Sequence, residues 1–230
     1  MSLPPPTPKR RAKHVNHPTM QDHLKVDRYG DFWLTDAIRP AQTLAIVPKQ
    51  GYRVDVYRDA KAGFEVPVVV ASISREMLFD VFLELLDPLG EVVDVVLETS
   101  HETTGSQHMD LFRESMDLPV LKSHCCEFEE LLTHDGCTGL AVMSTEGPME
   151  VQFDEHKLLV VYANDVRPFT RVLDDNGIRR CDMMKLLTEG EHLHSTDERH
   201  RKAFDMFCYR LGVGQAVERV GSGGSGSGEW

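Results

Sequence analysis

An α+β fold with a mixed β-sheet is predicted by three features of the sequence. An apolar run of strand length feeds a strongly periodic helix, three short strand signals follow one another between 139 and 162, and the C-terminal third carries helix caps. In chain order the pattern predicts a strand-rich start, one β-α-β crossover, an antiparallel three-strand meander and a helical C-terminal part.

The start reads as a hairpin, with segments 42–47 and 52–58 flanking Pro48-Lys49-Gln50-Gly51. Val54 and Val56 alternate with Arg53, Asp55 and Tyr57, the period of a half-exposed strand. The run 66–73 is almost wholly apolar, as a central strand would be, with Pro67 near its start, where a missing N–H is tolerated. Ser74 then offers an N-cap, and Met77, Leu78, Val81, Phe82, Leu85 and Leu86 recur at helical spacing. Asp87-Pro88-Leu89-Gly90 stops that helix, and the strand 91–97 completes a unit of crossover length.

A polar loop is expected over 98–117, then a helix over 119–133 with Val120, Leu121, Cys125, Phe128, Leu131 and Leu132 inward. His134-Asp135-Gly136 reads as a turn into the meander strands 139–144, 149–153 and 157–162. Pro168 opens a short helix that Asn176-Gly177 stops. A further short helix is expected over 183–188. Ser195-Thr196-Asp197-Glu198 has the form of a capping box for a last helix running to Leu211, with Gly212 behind it.

Composition sets the organisation. Residues 1–20 are Pro-rich, carry Lys9, Arg10, Arg11 and Lys13 against no acid, and are expected to be a disordered basic tail. Residues 21–220 are expected to form a single α+β domain, and 221–230 a flexible Gly/Ser tail. The net charge of −12 is unevenly spread: residues 59–160 hold twenty-one acids against five bases. So acidic a body repels phosphate backbones, which argues against nucleic-acid binding. No apolar run reaches the roughly 18–20 residues of a membrane span, and no apolar stretch follows the N-terminal charges, so a cytoplasmic location is expected. The five cysteines lack regular spacing, which suits reduced thiols.

Eleven histidines point to metal or acid–base chemistry. The densest stretch runs from Glu98 to Asp110, behind the strand that closes the crossover, where open α/β sheets place ligands. His101, His108 and Asp110 are the candidate ligands of a divalent metal such as zinc or manganese, with Glu102 as a candidate general base. The spacing is not His-Glu-x-x-His, and a solvated polar loop accounts for the same residues. His124-Cys125-Cys126 with His134-x-x-Cys137 offers further ligands, but Cys125 falls on an apolar helix face and reads as core. His192-x-His194 would place two imidazoles on a metal at the end of a strand, but reads as a loop between helices.

Dinucleotide, P-loop, nucleophile-elbow and EF-hand signatures are absent. The leading functional reading is a non-catalytic binding or regulatory module that presents an acidic surface to a protein or small-molecule partner. The alternative is a metal-dependent, hydrolase-like enzyme using the loop 98–110; a third is a subunit of a homo-oligomer. Whether the chain is an enzyme stays open at this point.

Overall fold

The computed structural model describes residues 20–43, 45–59, 63–101 and 109–215. Residues 1–19 of the expected tail 1–20, the expected tail 221–230, and the candidate residues Glu102 and His108 lie outside these residues, while Met20 belongs to a helix. A short helix α1 (Met20–Leu24) leads into a small hairpin of β1 (Arg28–Tyr29) and β2 (Phe32–Trp33), then into β3 (Ile38–Pro40). The segment 42–47, expected to be a strand, contains none of the named strands. The true hairpin partner of β4 (Gly51–Asp59) is β5 (Phe64–Ser72), so the chain reverses after β4 instead of before it.

Helix α2 (Arg75–Leu85) follows β5 as the periodicity predicts, burying Leu78, Phe79, Val81, Phe82 and Leu85. Ser74 stands at its N-cap, but its hydroxyl makes no cap bond; it contacts the Glu76 carboxylate and accepts from the Trp33 N–H at 2.9 Å. A 3₁₀ turn over Asp87–Leu89 and Gly90, whose φ of 104° suits a residue without Cβ, turn the chain into β6 (Val92–Thr99). The expected loop 98–117 is mostly strand: β6 runs to Thr99 and β7 (Met109–Asp117) pairs back along it.

The single helix expected over 119–133 breaks at Phe128 into α3 (Leu118–Glu127) and α4 (Glu129–His134). Leu121, Cys125, Leu131 and Leu132 are buried as expected, whereas Val120 is exposed. The meander then appears as β8 (Thr138–Ser144), β9 (Met149–Phe153) and β10 (Leu158–Ala163). Helix α5 (Arg167–Asp175) ends before Gly177, whose φ is 74°. Segment 183–188 is not a helix but an extended strap with a 3₁₀ turn over Leu187–Glu189. The strap leads to β11 (His192–His194), then α6 (Glu198–Leu211) and a short β12 (Gly214–Gln215). The N-cap of α6 is Asp197, which accepts from the N–H groups of Arg199 and His200, not Ser195.

The main sheet has eight strands in the order β12-β7-β6-β8-β9-β10-β5-β4. Four antiparallel ladders separate β5 from β6, so the two crossover strands run the same way with the meander inserted between them. The parallel character expected of a mixed sheet thus lies in that shared direction, since all the ladders of this sheet are antiparallel.

Alternation assigns the faces. Val69, Ala71, Val93, Val95, Leu97, Leu140, Val142, Val151, Phe153, Leu159 and Val161 meet the apolar sides of α2 to α6 in one core. On the opposite face Val68, Val70, Leu158 and Val160 are covered by Met184 and Leu186 of the strap. No helix among the described residues is long and apolar enough to cross a membrane.

Candidate metal centre

Two small features outside the main sheet assemble the densest imidazole cluster among the described residues. The first is a remote pairing: β11 joins β3 antiparallel, with His192 opposite Pro40 and His194 opposite Ile38. Because a strand repeats every two residues, this pairing puts His192 and His194 on one face and Leu193 on the other. The sequence reading of His192-x-His194 as a loop is therefore corrected: it is a strand.

The second feature is the β9–β10 turn. Lys157 N–H closes it on the Asp154 carbonyl at 3.0 Å, and Asp154 Oδ1 accepts the Leu158 N–H at 2.8 Å. Lys157 adopts φ 62°, a left-handed conformation that glycine or asparagine ordinarily takes. Such a residue stores roughly 1–3 kcal/mol of strain, and its surroundings must hold it there. Its buried Nζ donates to the Thr138 carbonyl at 2.9 Å and lies over the Phe153 ring. Burial pulls its pKa down to about 8, against the upward pull of Asp154, Asp135 and Glu155.

That turn presents His156 to the β11 pair. The ring centroids of His156, His192 and His194 lie 4.8 to 5.1 Å apart, and one ligand-capable atom from each falls within 4.8 Å of the others. The Nδ1 atom of every ring is already engaged: His156 with Asp154 Oδ2 at 2.9 Å, His192 with the Gly190 carbonyl at 2.8 Å, His194 with the Gly136 carbonyl at 2.6 Å. Each acceptor fixes a tautomer with its proton on Nδ1 and a lone pair on Nε2, the arrangement found behind metal-bound histidines. The neighbours also set the protonation. Burial works to lower the pKa of His156, but the Asp154 hydrogen bond and the charges of Asp154 and Glu155 raise it overall. His194 is lowered, first by burial and further by the charges of His156 and His192.

The Gly136 carbonyl belongs to the turn between α4 and β8. Gly136 N–H donates to the Ser195 carbonyl and Ser195 N–H to the Ala37 carbonyl, both at 2.8 Å, which ties the turn to β11. A Cβ on Gly136 would stand 2.4 Å from the Ala37 oxygen, so glycine is required there for space.

On either side of Gly136 a second group gathers: His101, Asp135 and Cys137. His101 lies just past the end of β6, its Nδ1 on the Thr99 hydroxyl at 3.0 Å and its Nε2 2.9 Å from Asp135 Oδ2, though not aligned as a hydrogen bond. Burial acts to raise the pKa of Asp135, but His101 and the hydroxyls of Thr138 and Thr196 bring it below the usual carboxylate range. Burial raises the Cys137 thiol. His200, in the first turn of α6, points Nδ1 at Asp135 Oδ1 from 3.9 Å.

Of the ligands expected from sequence, His101 is thus brought to Asp135 and Cys137. Asp110 sits on β7 opposite Glu98 of β6, on the sheet face away from Thr99, where burial and the charge of Asp110 push Glu98 up to about 7. It is not in the group around His101. Sequence reasoning did not assemble His156, Asp135 and His200 with their partners, since these meet only through folding. The i, i+2 spacing of His192 and His194 was the visible signal. Protein-family models, curated proteins and solved structures all returned no match for this chain, so its site is read from its own geometry.

Proposed function

We propose that the chain binds a divalent transition-metal ion, zinc by ligand type, at His156, His192 and His194. The observation that carries this is the occupation of all three Nδ1 atoms by fixed acceptors, which leaves three Nε2 lone pairs for one ion. Ligand nitrogens on a tetrahedral zinc, each at about 2.0–2.1 Å, stand roughly 3.3 Å apart, and one ring nitrogen from each histidine already lies within 4.8 Å of the others. Three imidazoles with a fourth position open is the ligand set of catalytic rather than structural zinc. His194 is exposed, so the open position has access to solvent. An ion there would lower the pKa of a bound water and polarise carbonyl or phosphoryl oxygens, which supports the metal-dependent, hydrolase-like reading with its site moved from the loop 98–110 to this centre.

The second reading, a non-catalytic module that offers an acidic surface to a partner, is favoured by the twenty-one acids against five bases in residues 59–160. It is compatible with a bound ion that serves recognition. All five cysteines are free, which supports placing the protein in a reducing compartment such as the cytoplasm.

The test is metal stoichiometry after chelation and reloading with zinc, in the parent and in a His192→Ala/His194→Ala variant. The variant should bind one equivalent fewer. Equal stoichiometry and equal affinity in the two proteins would end the assignment.

A further inference from the structure

The buried group beside Gly136 has a separate signature. His101 Nε2 faces Asp135 Oδ2 at 2.9 Å out of hydrogen-bond alignment, and Asp135 Oδ1 and His200 Nδ1 have no hydrogen-bond partner among the described residues; all three atoms are buried. The His101 and Asp135 side chains are 4% and 0% exposed. Leaving a buried polar atom without a partner is costly, and native structures keep such atoms few. Here three fall together, and all three are atom types that ligate metals.

We propose a second zinc site of the closed, structural type, held by His101 Nε2, the Asp135 carboxylate, Cys137 Sγ and His200 Nδ1. The ligand-capable atoms of His101, Asp135 and Cys137 already lie within 4.8 Å of one another; His200 Nδ1 stands outside that group, 3.9 Å from Asp135 Oδ1 and 3.6 Å from Asp197 Oδ1, and would turn in to complete it. The Thr99 hydroxyl holds His101 Nδ1 and so directs Nε2 to the cluster. Asp135 keeps Oδ2 on the Thr138 hydroxyl, which leaves Oδ1 for the ion. Binding converts the Cys137 thiol to a thiolate and releases its proton to solvent.

The four ligands come from the end of β6, the α4–β8 turn, its last residue before β8, and the first turn of α6. One ion therefore pins the last helix and the crossover strand to the same turn. This site does not depend on the three-histidine centre, which contains no sulfur, and that difference makes the two separable.

Cobalt(II) replaces zinc in the test, because a thiolate ligand adds an intense near-ultraviolet charge-transfer band that imidazole ligands lack. The full chain, stripped by chelation and kept reduced with a phosphine, is titrated with cobalt at neutral pH. The band should grow to one equivalent in the parent and in the His192→Ala/His194→Ala variant, and disappear in Cys137→Ser. A parent without the band, or a Cys137→Ser variant that keeps it, would overturn the proposal. His200→Gln, at the partly accessible edge of the cluster, should keep the band and weaken cobalt binding by more than about tenfold, the loss that even an outer-sphere change can bring. Unchanged affinity in that variant would remove His200 from the ligand set and leave no closed site. One bound cobalt with the band would retain this site and reject the three-histidine centre; one without it would do the reverse.

Discussion

Replacing Glu98 with glutamine should stabilise the protein above neutral pH and leave it unchanged in acid. Glu98 lies on the sheet face away from the helices, where burial and the charges of Asp110, Glu150, Asp154 and Glu155 push its pKa from an ordinary 4.5 up to about 7. A carboxyl raised in this way favours the fold when protonated. Its contribution is therefore complete below about 4.5 and is lost as pH rises through about 7. At roughly 1.4 kcal/mol per pKa unit, the loss amounts to about 3 kcal/mol, an order-of-magnitude figure because Glu150 on the same face is raised too and relaxes with it. Glutamine keeps the shape and cannot ionise. Urea unfolding of the parent and Glu98→Gln at half-unit steps from pH 4 to 8.5 gives the difference curve, provided the urea dependence is the same in both. The curve should be near zero at the acid end, rise between pH 4.5 and 7, and level off at about 2–3 kcal/mol. A difference that stays flat across this window, or that falls, would show that Glu98 ionises freely in the fold.

Four further outcomes follow from the geometry. Phe82 is fully buried and its ring stands 5.0 Å from that of Phe153, so Phe82→Ala should cost about 3–5 kcal/mol in urea unfolding; under half a kcal/mol would mean α2 does not pack as described. Asp197→Ala removes the acceptor for two N–H groups of α6 and should cost about 1 kcal/mol, with fraying visible as faster amide exchange at Arg199 and His200. Gly136→Ala meets the Ala37 carbonyl oxygen and should cost about 3 kcal/mol by calorimetry, the upper end of an overpacking penalty. In Cys137→Ser, which keeps only the three-histidine centre, zinc held at a hundredfold over its dissociation constant should add about 2.7 kcal/mol, raising the thermal midpoint by about 5–11 °C. That gain should shrink as pH falls below the raised pKa of His156, where the proton competes with the ion.

Where local pattern and burial agree, the sequence is a good guide to this fold. The face of α2, the three strands of the meander and the ends of α5 and α6 follow from periodicity, proline and glycine, because each is decided within a few residues. The segment that became β7 was read as loop because it is exposed along much of its length and holds a left-handed Ser115, so no apolar alternation marks it. The strap at 183–188 looked helical by composition, yet Met184 and Leu186 point inward at a period of two while Met183 is 91% exposed. The capping box gave the right place for α6 but the wrong residue, since the backbone of Ser195 is taken by Ala37 and Gly136. The candidate site was less legible. The candidate ligands at 101, 135, 156, 192 and 200 come from separate elements, and the remote pairing of β3 with β11 turns His192 and His194 toward His156.

The two ligand clusters share one turn, and they use it differently. The side chains of Asp135 and Cys137 face inward to His101, while the carbonyl of Gly136 between them faces the three-histidine centre and fixes the tautomer of His194. The inner cluster thus helps determine where that carbonyl points, whereas the outer centre takes from the turn a single hydrogen bond. Damage should therefore pass in one direction. Loss of the His194 imidazole leaves Gly136 anchored by its N–H on Ser195 and leaves Asp135 on Thr138. Loss of the Asp135 carboxylate frees the Thr138 hydroxyl and takes away the charge beside His101, and so loosens the turn that carries the acceptor for His194 Nδ1. A site built this way places its more exposed centre on the support of its more buried one.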